Sequence, residues 1–169
     1  RLEASLRRRL GDCLWELDQD KEALDNYRRA VEELTTLAAL DPTNSRAQFD
    51  LATALNDLGQ SLESAGDLSG ALRHYGSITD ILEKLTRSDP ANTSWRAHLA
   101  EILVRIAGLL EKTGQSAEAR RQAERGLSAA RQLAALPGVP ASELTRAARL
   151  LVTCSPASLR DPHAAAEYA

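Results

Sequence analysis

The sequence predicts an all-α protein, a solenoid of helical hairpins that repeats every 48 residues. Four observations lead there. Leu51, Leu55, Leu58 and Leu62 step by four, three and four, which puts them on one face of a 3.6-residue helix. Leu68, Leu72, Tyr75, Ile78, Leu82 and Leu85 do the same for a second helix, with the turn at Ala65-Gly66-Asp67 between them. Shifted by 48, the first set becomes Leu99, Leu103, Ile106 and Leu110, Ala71 becomes Ala23 and Ala119, and Tyr75 becomes Tyr27. Finally, Asp41-Pro42-Thr43-Asn44 returns as Asp89-Pro90-Ala91-Asn92. Neither stripe of a hairpin is satisfied alone, so each helix must pack on its partner and then on a neighbour.

Taken in order, residues 1–17 predict the first helix of unit 1 (about 1–40), with Leu10 and Leu14 in the register of Leu58 and Leu62. Arg7 breaks that register where Leu55 and Leu103 stand. Either this helix slides at its start or a preceding unit covers it. Asp18-Gln19-Asp20 predicts a turn and 21–40 the second helix. Asp41-Pro42 should end that helix and open the next, because proline fits a first turn and a preceding Asp caps free N–H groups. Gly59 (Gly11 one repeat earlier, Ala107 one later) marks a place where another helix can approach closely.

Unit 2 spans about 44–88 and unit 3 about 92–136, the latter turning at Thr113-Gly114-Gln115. Leu136-Pro137-Gly138-Val139-Pro140 is the strongest breaker in the chain. A partial fourth unit, 141–169, then holds a helix from Ser142 to Cys154 that carries Leu144, Ala148, Leu151 and Val152. Ser155-Pro156 breaks it, and Asp161-Pro162 starts a short helix to Ala169. Residues 1–169 are read as one domain. Because the chain starts at Arg1, holds no methionine and stops within a unit, it is expected to be a piece of something longer.

Leu58-Gly59, Leu62, Ala71, Tyr75 and the later Asp-Pro resemble the tetratricopeptide repeat (TPR) signature over residues 4–136. There a large-small pair marks the first helix, an alanine and an aromatic mark the second, and a proline ends the unit. The resemblance implies a right-handed α-solenoid of TPR-like hairpins. The usual unit is 34 residues, and the proline here comes later; Ile81-Leu82 and Leu85 extend the apolar stripe, so the insertion lengthens the helices. Helices of about 20 residues span roughly 30 Å. The tail Leu150 to Pro156, with Leu159-Arg160-Asp161-Pro162 and the recurring Asp-Pro-x-Asn, is similar to the TPR region of bacterial TPR-bearing serine/threonine protein kinases. That likeness implies a non-catalytic region of a bacterial signalling protein.

Composition narrows the classes. Aromatic residues are 4% of the chain, so the core must be Leu and Ala at close helix-helix distance. The net charge is −3 with both signs interspersed, which argues against nucleic acid or an anionic membrane as the main partner. No stretch reads as a signal peptide, and Glu101 and Arg105 interrupt the most apolar one, so no membrane span is expected. Cys13, expected half-buried beside Leu14, and Cys154 lie several helices apart, beyond the Cα separation of about 7 Å that a disulfide tolerates. Both read as free thiols. The compartment is left open.

Catalytic chemistry finds little support, and neither cofactor nor metal is expected. His74 and His98 share their registers with polar residues, which predicts solvent-facing positions. His98 and Glu101 are three apart, but no third ligand accompanies them and a structural zinc site wants four. Gly66 and Gly70 open no phosphate loop. Leu159-Arg160-Asp161 only superficially matches a kinase catalytic loop, since Ala166 stands where the metal-binding Asn is needed. The runs Arg7-Arg8-Arg9 and Arg120-Arg121 with Arg125 read as solvated helix faces, with Glu118 and Glu124 in pairing range of the latter.

TPR logic places the working surface on the concave side, along the polar stripe of each first helix. Its candidate peptide- or protein-binding residues are Arg8, Asp12, Trp15, Asn56, Gln60, Glu63, Arg105 and Lys112. Trp15 occupies the register of Glu63 and Glu111, and an aromatic in a groove is an anchor, since aromatics contribute disproportionately at interfaces. Its alternative is packing on an adjacent unit. Trp95 replaces Ala47 at a helix start and is expected to staple that helix. The Lys/Asn/Arg clamp by which some TPR proteins grip a C-terminal carboxylate fails here: Arg8 and Arg105 are compatible, but Asp12, Asp57 and Glu101 are not. Two functions follow as expectations. One is a protein-interaction module with a peptide or protein in the groove. The other is a spacer or self-association scaffold working through apolar end faces, as a weak homo-oligomer.

Overall fold

The predicted breakers fall where helices end. The computed structural model describes residues 1–168, and among them the regular structure is all helical, with no strand. The helices are α1 (Leu2–Glu16), α2 (Asp20–Leu40), α3 (Ser45–Ser64), α4 (Leu68–Ser88), α5 (Thr93–Lys112), α6 (Ser116–Ala134), α7 (Ala141–Thr153) and α8 (Pro162–Glu167). A single 3-10 turn, Ala157–Leu159, precedes α8.

The three hairpin turns are closed by the same bonds. The N–H groups of Gln19, Asp67 and Gln115 each donate to the carbonyl five residues back, of Leu14, Leu62 and Leu110, at 2.9 Å. The residue before each donor holds a positive φ: Asp18 at 57°, Gly66 at 84° and Gly114 at 77°. This is a Schellman stop, which satisfies carbonyls that a helix end would otherwise orphan and requires a left-handed residue. Glycine meets that demand without a Cβ clash, and Asp18 is a residue type that tolerates it.

The connections between hairpins correct one expectation. Asp41 does not cap α3; its Oδ1 accepts from the N–H and hydroxyl of Thr43, a turn that holds its carboxyl below the usual range. The cap is Asn44, whose side chain accepts from the Ala47 N–H at 3.0 Å, and Asn92 does the same for Trp95 at 3.1 Å. The Asp-Pro pair bends the chain and the asparagine two residues later starts the helix, because only a side chain at the last non-helical position reaches the third N–H.

The chain divides into two compact units, Arg1–Ile81 and Leu82–Ala169. In the first, α1 packs on α2 and α2 on α3. Leu51, Leu55, Leu58 and Leu62 are all buried, as are Ala23, Tyr27, Ala30, Leu34 and Ala38 of α2. Each buried leucine contributes about 1.5–3 kcal/mol over an exposed one. The aromatic rings set the helix spacing. A Cβ on Gly11 would lie 2.6 Å from Tyr27 Cε1, and one on Gly59 would lie 2.6 Å from Tyr75 Cε1. The glycines are there because tyrosine rings lie on them. Leu10 departs from its expected place: it is 50% exposed while Leu58 is 3% exposed. Leu58 has α2 ahead of it; α1 has no helix ahead of it among the described residues. Cys13 is exposed for the same reason, not half-buried.

In the second unit α5 packs on α6 and α7, α6 on α7, and α7 on α8. Its core joins Ala97, Ala100, Leu127, Ala130 and Leu133 to Ala147, Leu150, Leu151 and Cys154. Ile106 is buried here. At the register of Gly59 and Tyr75 stand Ala107 and Ala123, two small residues in place of a glycine and a ring, both fully buried. Close approach shifts to Gly126, which sits under Val104 Cγ2. Val152 turns out to be 40% exposed, since the inward stripe of α7 runs through Ala147, Leu150 and Leu151 instead. The kinase-like tripeptide has structural work: Arg160 donates to the Cys154 carbonyl and Asp161 caps α8 at the Ala164 N–H.

Candidate functional site

The polar stripes of α1 and α3 border a cleft of about 330 Å³ in the first unit. Asp12, Trp15 and Glu16 come from α1, Tyr27 from α2, and Asp57, Gln60, Ser61 and Ser64 from α3. The α3 contribution repeats at three, one and three residues, one face of one helix. At one edge Arg8 Nε donates to Asp57 Oδ2 at 2.6 Å, tying α1 to α3. Arg1 and Asp50 make a second such tie at 2.8 Å.

Within the cleft the Tyr27 hydroxyl donates to Asp12 Oδ1 at 2.8 Å. Burial, followed by that carboxylate, pushes the Tyr27 phenol up, so it stays a neutral donor. Burial also raises the Asp57 carboxyl, more than Arg8 lowers it, and the nearby Asp12 charge adds to the rise. Ser61 is 3% exposed, and no partner for its hydroxyl is found among the described residues. No buried polar side-chain atom there is both sealed from solvent and unpaired, so that hydroxyl opens to the cleft. Trp15 is half-buried in the wall.

Of the residues expected in the groove, Asp12, Trp15 and Gln60 line this cleft, and Arg8 stands at its edge through Asp57. Asn56 precedes Asp57 on α3 and is not among the lining residues. Glu63 is on α3 outside the lining. Arg105 and Lys112 are exposed residues of α5 in the second unit and are not among the lining residues. Glu16 and Ser64, which belong to the polar stripes expected of the first helices, line the cleft as well, whereas Tyr27 and Ser61 lie outside those stripes. Tyr27 belongs to a second helix, where periodicity signals only packing. Ser61 falls between the polar stripe and the leucine seam, so its register alone assigns it to neither.

The other candidates resolve into structure. His74 is half-buried, and burial together with Arg73 lowers its imidazole, so the solvent-facing expectation is corrected. His98 is half-buried too, with Nδ1 2.8 Å from the Ser94 carbonyl oxygen. Glu101 is held by Arg146 (Nε to Oε1, 2.9 Å) and by Arg149 at 3.2 Å. No three His, Cys, Asp or Glu side chains converge as a metal site among the described residues. Arg7 pairs with Glu3 and Glu33, Arg120 with Glu124, Arg121 with Glu118, and Arg125 with Glu83. Apart from Arg9, the arginines of these runs are thus paired with carboxylates, Arg8 with Asp57. Among the described residues no helix is long and apolar enough to cross a membrane.

No family model matches the chain, and no curated protein matches it. Among solved structures it is similar to one titled "MamA RS-1 ArsTM double mutant", at 15% identity and a TM-score of 0.31, covering 98% of this chain and 90% of that one.

Proposed function

We propose that the chain is a non-catalytic protein-interaction segment that binds a peptide or a protein side chain in the α1/α3 cleft. The observation that carries this is the cleft itself: a half-buried indole of α1 set among polar side chains, facing an α3 whose leucine face is committed to the core. An indole in such a pocket supplies large contact area at low entropy cost. The same reading takes residues 1–169 as one right-handed TPR-like solenoid of period 48, with units at about 1–40, 44–88 and 92–136 and a partial unit at 141–169. The identical hairpin stops at Leu14, Leu62 and Leu110 support it. A role in a larger bacterial signalling protein belongs to this proposal as well, and it rests on the kinase-region resemblance.

The test is a random peptide library panned on the immobilised chain. Enriched peptides should lose binding to Trp15→Ala while far-UV circular dichroism is unchanged. Enrichment indifferent to Trp15 places binding elsewhere and removes the cleft from the proposal.

One observation favours the scaffold reading beside it. Leu2, Leu6 and Leu10 are 77, 56 and 50% exposed, and at steps of four they form one apolar stripe on α1, with Leu17, 66% exposed, just past its end. Light scattering across a concentration range should show association that Leu6→Glu with Leu10→Glu abolishes. A monomer at every concentration ends that reading.

A further inference from the structure

We infer that the cleft selects a basic side chain, arginine above all, presented by a bound peptide; this rests on the peptide-binding reading above. Among the described residues no cationic side chain lines the cleft, while Asp12, Glu16 and Asp57 do. A guanidinium at its edge, Arg8, is already engaged by Asp57 at 2.6 Å. Asp12 and Glu16 are exposed and so reachable from solvent. Of the roughly four acceptor sites on the Asp12 carboxylate, the Tyr27 hydroxyl takes one.

Charge alone would not make this a site; two further features point to a ligand. The Ser61 hydroxyl belongs to a residue 97% withdrawn from solvent (3% exposed), lines the cleft, and finds no partner among the described residues. A hydroxyl so placed can accept an N–H that the chain itself does not provide. The Trp15 indole forms the neighbouring wall, and a cation over such a ring gains about 0.5–2 kcal/mol, more as it is desolvated. A guanidinium has five N–H donors and a stackable plane, which suits carboxylates, a hydroxyl and an indole together better than an ammonium does. A volume of about 330 Å³ suits one long side chain, at the small end of ligand clefts. A carboxylate ligand would meet like charge there.

The experiment follows the Trp15 indole N–H in 1H–15N spectra, with Trp95→Phe used to assign it. The probes are four capped pentapeptides, Gly-Ser-X-Ser-Gly, where X is arginine, lysine, citrulline or glutamate. Arginine should shift the indole signal saturably, lysine more weakly, and citrulline and glutamate not at all. Asp12→Asn with Glu16→Gln should weaken arginine binding at least tenfold at an unchanged urea midpoint; Glu16→Gln alone, at an exposed position, serves if the pair perturbs folding. Citrulline binding as well as arginine overturns the inference and leaves the peptide reading standing. So does arginine binding that ignores the carboxylate variants. If none of the four peptides moves Trp15 the inference also fails, and the library panning decides separately whether peptide binding fails with it.

Discussion

Arg8 and Asp57 meet at 2.6 Å although 49 residues separate them along the chain, and both are mostly withdrawn from solvent, at 25% and 18% side-chain exposure. The pair fixes α1 against α3 and engages a cation at the edge of the cleft.

Removing only the cation leaves a half-buried carboxylate uncompensated. Arg8→Gln should cost about 1–3 kcal/mol, between the values for exposed and fully buried pairs. Asp57→Asn should cost less, since burial already disfavours its charge. Urea denaturation of the two variants checks the order; equal losses would show that the charge imbalance is not what matters.

The tyrosine-on-glycine contacts predict a coupled pair. In Gly59→Ala the new Cβ would lie 2.6 Å from Tyr75 Cε1, so the ring must move. Overpacking of that kind costs about 1–3 kcal/mol, against a gain of at most about 1 kcal/mol in helix propensity. Gly59→Ala together with Tyr75→Ala should then be less damaging than the sum of the single changes, as Ala107 and Ala123 pack at that register in the third hairpin. A double-mutant cycle with no coupling would contradict the contact.

Gly66 holds a φ of 84° with open space around it. Gly66→Ala should cost about 1–2 kcal/mol from backbone strain alone, and Gly66→Asn less. Thermal melts of both separate strain from crowding, because the site has room for either side chain.

Two carboxylates should give opposite pH slopes. Burial raises Asp57 above its ordinary 3.8, so the folded state holds that proton more tightly than the unfolded chain does. Its contribution is full below 3.8 and is lost as pH rises through the folded value. Burial acts to raise Glu101 too, but the hydrogen bond and charge of Arg146, with His98 and Arg149, carry it below 4.5. Its contribution is present above 4.5 and is lost as pH falls through the folded value. Stability measured against pH should therefore change slope in opposite senses in Asp57→Asn and Glu101→Gln.

Acidic C-terminal peptides should bind poorly. Arg8, one of the two compatible clamp residues, is bound to Asp57, and Asp12 stands where an asparagine would be needed. Titration with a peptide ending in acidic residues should show no saturation in the micromolar range.

The helices and turns were written in the sequence, because periodicity and breakers act locally. Leu51 to Leu62 had to share a face whatever lay opposite, and Gly66 and Gly114 had to end helices. Local chemistry misled where two residue types compete for one task, as Asp41 and Asn44 do at the start of α3. What the sequence could not decide was which faces would find a cover. Leu10 and Leu58 have the same register and opposite fates, and Ser61 gained its place in the cleft from the helix opposite. Exposure and electrostatic surroundings depend on groups distant along the chain, and those meet only once the helices pack.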